Sequence, residues 1–291
     1  MFRLPFRLLL AICVFLASVS AATAAQSDVV NVLYAGSLVN LMERAVGPAF
    51  EQQTGLKFRG YAAGSNKIAN EIKGKLRRGD VFISASPKVN QHLLGPENGT
   101  HISWYLNFAE SPLMIGYNPK SPFAGDFKTK RWDSVLQAPG IRIGRTDPLL
   151  DPKGALTIEM VDKAATLYGQ PNLAVKILGA ADNPSQVLPE ETLIGRLQSG
   201  QLDAGFFYAT ETTFLHIPAI LPAPELHVQA HYTLTILNDA SNAAGAARFV
   251  AFLLSAQGRA LLKAHGLDLV TPTLTGDASS LPASLDIPRA R

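Results

Sequence analysis

Apolar residues fall in two alternating rhythms along most of this chain. Residues 29–34 are a nearly continuous apolar, β-branched run broken only by Asn31, the pattern of a strand buried on both faces. Ala35-Gly36-Ser37 ends the run. Leu38, Leu41, Met42, Ala45, Val46, Ala49 and Phe50 then recur at spacings of three and four up to Thr54-Gly55, which predicts an amphipathic helix. Residues 57–61 predict a second strand and Ala62-Ala63-Gly64-Ser65 a turn. Ile68, Ile72 and Leu76 mark one stripe of a helix, and residues 80–84 predict a third strand. Strand alternating with helix predicts an open, largely parallel α/β sheet.

The middle of the chain continues in this style. Residues 111–117 read as a strand whose Pro112 suits a crossover or an edge, because proline has no N–H to give a sheet ladder. A short strand is expected at 141–144 and a helix at 155–168. A second helix, 190–197, leads through Ser199-Gly200-Gln201 into a strand at 204–208. Residues 232–237 alternate like a strand, and 243–265 hold one or two helices. Beyond Thr271 the chain turns to Pro, Ser, Thr and Asp, so a loose tail is expected over 273–291. No internal repeat is visible.

The amino terminus changes the picture of charge. It runs from Arg3 and Arg7 through an apolar stretch, 8–19, to Ala21-Ala22-Thr23-Ala24-Ala25 ahead of polar Gln26. That is the layout of a cleaved secretory signal over residues 1–25. The stretch is shorter than the roughly 20 apolar residues that span a bilayer, and no later one is long enough, so a soluble, periplasmic protein is expected. Cys13, the only cysteine, lies within the signal. The mature chain then has no thiol for a disulfide, a nucleophile or a metal ligand. Removing two arginines takes the basic-to-acidic count from 26 against 23 to 24 against 23, so the net charge falls from +3 to about +1. The remaining basic residues are scattered, with no aromatic-interleaved stripe, which argues against a nucleic-acid partner.

Enzyme motifs are missing: there is no Gly-x-Ser-x-Gly elbow, His-Glu-x-x-His, Walker loop or Gly-x-Gly-x-x-Gly. What recurs is a strand ending in a small-residue turn with a serine, followed at once by a helix, at Ser37 and again at Ser65. One such serine is most simply an N-cap. Two on adjacent parallel strands suggest more. They sit where open α/β sheets bind ligands, with free N–H groups and helix dipoles facing an anion. Asp151-Pro152-Lys153-Gly154 and Pro189-Glu190-Glu191-Thr192 open two further helices. Oriented N–H dipoles from several such turns could hold a dianion without a formal counter-charge.

At this point the residues resemble a known family. Ala35-Gly36-Ser37-Leu38, Ala63-Gly64-Ser65, Asp80-Val81-Phe82-Ile83-Ser84-Ala85, Gly205-Phe206-Phe207-Tyr208-Ala209-Thr210 and Phe252-Leu253-Leu254-Ser255 are similar, in order and spacing, to periplasmic molybdate- and tungstate-binding proteins of ABC transporters. The resemblance implies the type II periplasmic binding protein architecture, an α/β fold of two lobes. Each lobe is a mostly parallel sheet flanked by helices, and two crossover strands join them. Residues 28–112 with 237–272 would form lobe 1, and 113–236 lobe 2. It implies further that Ser37 and Ser65 donate to the oxyanion from lobe 1. From lobe 2, Tyr208 would donate its phenol, and Lys153 and Glu190 or Glu191 their backbone N–H groups. In the tungstate-binding branch two carboxylates also coordinate the metal. Asp151 matches one, and the other falls on Phe207, which has no carboxylate. A capping Asp151 would occupy the N–H groups that the anion needs, so capping and ligand contact are expected to exclude each other.

The expected partners are molybdate or tungstate and a membrane ABC permease, with the carrier itself a monomer. No cofactor or metal is expected and no enzymatic activity. The same fold binding sulfate or an organic acid is the alternative, and an exported hydrolase using Ser37 or Ser65 would need a histidine that the sequence does not place nearby.

Overall fold

The computed structural model describes residues 28–180 and 182–285; the expected secretory signal lies outside the described residues. Nine strands follow the chain: β1 (Val29–Ala35), β2 (Lys57–Ala63), β3 (Val81–Ser84), β4 (Trp104–Tyr117), β5 (Ile143–Gly144), β6 (Ala204–Tyr208), β7 (Ala219–Ile220), β8 (Gln229–Ile236) and β9 (Asp268–Gly276). Their order is β2-β1-β3-β8-β4-β6-β5, with β7 and β9 also paired to β4.

Pairing is parallel from β2 through β1 to β3 and again between β5 and β6. β8 and β4 run against those sets, so the sheet is mixed. Both have partners on two sides, and β4 is long enough to belong to both groups of strands. Its first half pairs with β8 and β9 and its last five residues, from Leu113, with β6. The predicted strand at 111–117 is therefore only the end of a 14-residue one. Pro112, opposite Gln229, is the last β4 residue in register with β8, and Leu113 opposite Tyr208 is the first in register with β6. The missing N–H thus falls where the strand changes partners.

The first two strands each feed a helix as the periodicity predicts, and β3 leads into a short helix, Pro87–Gln91, that it does not. After β1 the chain is helical from Gly36 to Thr54, with a 3-10 turn first and a wider turn over Met42–Val46, and it stops at Gly55, whose φ is +73°. Leu38, Leu41, Met42, Val46 and Phe50 are buried along its inner face. Phe50 packs edge-on against Phe249 of the helix Ala243–Leu254, with ring centroids 5.1 Å apart. After β2 comes the helix Ser65–Lys73, which ends at Gly74. Leu76 is thus not part of the apolar stripe: Lys75 takes a positive φ of 55° and Leu76 is 79 % exposed.

The tail also differs from expectation. Residues 273–276 are the end of β9, with Thr273 opposite Asn107 and Gly276 opposite Trp104. Pairing satisfies backbone groups along β4 that would otherwise be left open, and Leu269 and Leu274 pack on the core. Composition suggested a loose end because Pro, Ser and Thr are common in tails, yet pairing with β4 and two leucines on the core hold this segment.

Candidate functional site

Ser37 and Ser65 stand at the ends of β1 and β2, and neither caps its helix. The N-cap positions are Ala35 and Gly64, without side-chain bonds to the first turn. Ser37 Oγ is 2.8 Å from the hydroxyl of Tyr232 on β8. Ser65 Oγ accepts from the backbone N–H of Ala85, just past β3, at 3.1 Å. Both serines are buried. The capping interpretation therefore fails, because an offset of two residues for Ser37 and one for Ser65 places each hydroxyl inside the turn rather than ahead of it.

Asp151 does cap its helix, Pro152–Leu167. Oδ1 accepts from the Lys153 N–H at 2.7 Å and from the Thr146 hydroxyl at 3.2 Å, while the buried Oδ2 has no donor. The Lys153 N–H that the sequence offered to a ligand is thus occupied. Capping and facing the site are nevertheless compatible, since the two carboxyl oxygens divide the tasks. Burial, then the charge of Glu190 and a bond between the two side chains, push the Asp151 carboxyl well above its usual range, against the opposing pull of Lys153. Neither oxygen of Glu190 has a hydrogen-bond donor.

The Lys153 side chain is fully buried, and its Nζ lies 2.9 Å from each oxygen of Glu211 and 3.3 Å from Glu190 Oε1. Burial alone would pull this ammonium down; Glu211, Glu190 and Asp151 outweigh it and hold it above the ordinary lysine value. Glu211 in turn accepts the backbone N–H of Tyr208 at 2.7 Å. Burial raises the Glu211 carboxyl, Lys153 opposes that and Glu190 adds to it.

Tyr208 ends β6 with its ring edge-on to Tyr232, centroids 6.2 Å apart. Its hydroxyl is buried without a partner. Burial, with the charge of Asp151 next, holds this phenol well above its usual value, so it remains a donor at neutral pH. Two glycines let the strand groups meet here. A Cβ at Gly36 would lie 2.8 Å from Glu190 Oε2, and one at Gly64 would lie 2.5 Å from the Leu150 carbonyl and 3.1 Å from Asp151 Oδ2.

Ser37, Asp151, Lys153, Glu190 and Tyr208 thus form one linked cluster, all 3 % exposed or less, and Ser65 joins it through Gly64. Glu191 does not, because it is exposed on the outer side of its 3-10 turn. Phe207 is buried and apolar in β6 and brings no carboxylate; the acid that stands beside Asp151 is Glu190, from another segment. Sequence reasoning treated Glu190 as a backbone donor and missed Glu211 and Tyr232. Glu211 follows Tyr208 at the three-residue spacing of a capping box, the one signal that could have found it. Among the described residues no group of three or more His, Cys, Asp or Glu is arranged to hold a metal ion. The cluster can instead offer hydroxyl donors and two carboxylate oxygens to a small, oxygen-rich guest.

A mixed α/β sheet with a buried polar cluster at strand ends, crossed by one long strand that changes partners, is the build of a solute-binding protein. The chain belongs to the bacterial extracellular solute-binding protein family, whose match runs over residues 30–268. Membership makes it a binding protein rather than an enzyme. It is 29 % identical over 219 residues, 72 % of this chain and 67 % of the other, to a putative ABC transporter molybdenum-binding protein of Haloferax volcanii. With a molybdate/tungstate-binding protein of Pyrococcus abyssi it shares 24 % over 293 residues, covering 83 % and 84 % of the two chains. The periplasmic molybdate-binding protein of Azotobacter vinelandii superposes with a TM-score of 0.64 at 19 % identity, over 83 % of this chain and 99 % of that one. Among the described residues no helix is long and apolar enough to cross a membrane.

Proposed function

We propose that this chain is an exported carrier that closes two lobes around molybdate or tungstate and delivers it to an ABC permease. The observation that carries this is the pair of buried carboxyls, Asp151 and Glu190, whose donorless oxygens lie in one cluster with the unpartnered Tyr208 hydroxyl. Sulfate and phosphate hold their four oxygens tightly and need donors on every side, so acceptor-only carboxylates repel them. Molybdenum and tungsten centres accept further oxygen ligands, which turns the same carboxylates into attractive groups. Ser37, Ser65, Tyr208 and Tyr232 supply the hydroxyls for the oxo groups.

The relatives named for molybdenum, molybdate or tungstate support this reading. Burial of the whole cluster requires the turns at Gly36 and Gly64 to part from Glu190 and Asp151 before a guest enters. That motion is the opening of a cleft between lobe 1 and lobe 2, with β4 and β8 as the connections. The amino-terminal signal directs export and is removed, and the carrier acts as a monomer.

Thermal unfolding with molybdate, tungstate, sulfate and phosphate tests the proposal, because a ligand bound only by the folded state raises the midpoint. A rise with the first two and none with sulfate is expected. No response to any of the four would sink the reading, and a response to sulfate alone would transfer the site to that anion.

A further inference from the structure

Lys153 is the one buried cation of the cluster, and it spans segments far apart in the chain. Its backbone N–H binds Asp151 Oδ1, and its Nζ touches both oxygens of Glu211 and one of Glu190. Glu211 is already fixed from the other side by the Tyr208 N–H. One lysine therefore ties together the segments that bear Asp151, Glu190 and Tyr208. Glu190 contrasts with Glu211: the same ammonium is its ion partner, yet it has no hydrogen-bond donor of its own. Without Lys153, the buried Glu190 carboxylate would face Asp151 and Glu211 with no cation to offset their charge, and repulsion would turn it away.

We propose that Lys153 is a positioning residue that sets oxyanion selectivity: it holds the Glu190 carboxylate beside Asp151, so that the two can coordinate a six-coordinate metal centre. This rests on the oxyanion reading of the site and adds to it which residue enforces the coordination. Glu211 serves as the second anchor of the ammonium. The ammonium does not contact the oxo groups; it acts through Glu190.

The experiment uses the mature protein loaded with tungstate, with its L-edge X-ray absorption read beside calorimetric affinities for tungstate and sulfate. The wild type is expected to give a six-coordinate spectrum. Lys153→Met should shift the spectrum to that of four-coordinate tungstate, weaken tungstate binding at least tenfold and narrow its preference over sulfate. Lys153→Arg keeps the charge within reach of both glutamates and should restore the six-coordinate spectrum. A folded Lys153→Met variant with wild-type spectrum and affinity overturns the proposal. Should Lys153→Met not fold, the arginine variant decides: a six-coordinate spectrum supports the brace and a four-coordinate one overturns it. A wild type that binds tungstate with four-coordinate geometry also overturns it, whereas a wild type that binds no oxyanion sinks the functional reading instead.

Discussion

A Cβ on Gly36 would stand 2.8 Å from Glu190 Oε2, so the turn after β1 and the turn bearing Glu190 meet with no room for a side chain. Gly64 has the same relation to the Asp151 loop, but there the nearest atom is the Leu150 backbone carbonyl at 2.5 Å. A carboxylate can swing aside and a backbone cannot.

Gly64→Ala should therefore weaken oxyanion binding by about 2 kcal/mol and Gly36→Ala by about 1 kcal/mol, the range for overfilling a packed site. Isothermal titration with tungstate measures both. Wild-type affinity in the two variants would show that these turns need not close on the ligand.

Ser37→Ala leaves the buried Tyr232 hydroxyl, 2.8 Å from Ser37 Oγ, without its partner. A loss of about 1–3 kcal/mol in unfolding free energy is expected for a stranded buried hydroxyl. Tyr232→Phe placed on top of it should cost little more. A double-mutant cycle by urea denaturation checks this, and strictly additive losses would mean that the two hydroxyls do not pair.

Asp80 joins β1 to the carboxyl-terminal helices. Oδ2 accepts from the Asn31 backbone and side chain at 2.8 and 3.0 Å, and Oδ1 from the Asn242 N–H and the Ser241 hydroxyl at 2.8 and 3.0 Å. Asp80→Ala strands those donors and should destabilise the protein by about 3 kcal/mol or more. Chemical denaturation reads this directly, and a loss below about 1 kcal/mol would contradict it.

The raised Asp151 carboxyl makes stability depend on pH. Burial and Glu190 lift it in the folded state above an unfolded value of about 3.9. Its stabilising contribution is thus complete below about pH 4 and is lost as pH rises through the folded value. Asp203 has the opposite sign. Burial would raise it, but bonds from Arg142 and Ser121 hold it low, so its contribution is present above about pH 4 and is lost in stronger acid. The ligand-free protein should accordingly lose stability as pH rises above about 4, and Asp151→Asn should flatten that slope. Melting midpoints across the range test this, and an unchanged slope in the variant would assign the effect elsewhere.

Much of the first group of strands was legible in the sequence. The strand and helix after each small-residue turn follow from local spacing, because a helix or strand buries one face and the residues on that face recur at its own period. Helix boundaries were less legible: the stripe through Ile68 and Ile72 extends to Leu76 on paper, whereas Gly74 and Lys75 break it in space. The site was half legible. Ser37, Ser65, Asp151 and Tyr208 follow small-residue turns and a family resemblance, but Glu190 was assigned to its backbone, and Tyr232 reads in the sequence as one more residue of an alternating strand.

The sequence by itself determined the α/β alternation, the serine turns at strand ends and the absence of thiol chemistry from any chain lacking residues 1–25. Only the tertiary structure decided which charges share one buried volume. Lys153 meets Glu211 across 58 positions of chain. Asp151 can face Glu190 because Gly36 and Gly64 let the two strand groups meet. Periodicity records whether a residue faces the core. It carries no information on which distant partner waits there, and for buried charges the partner decides both protonation and role.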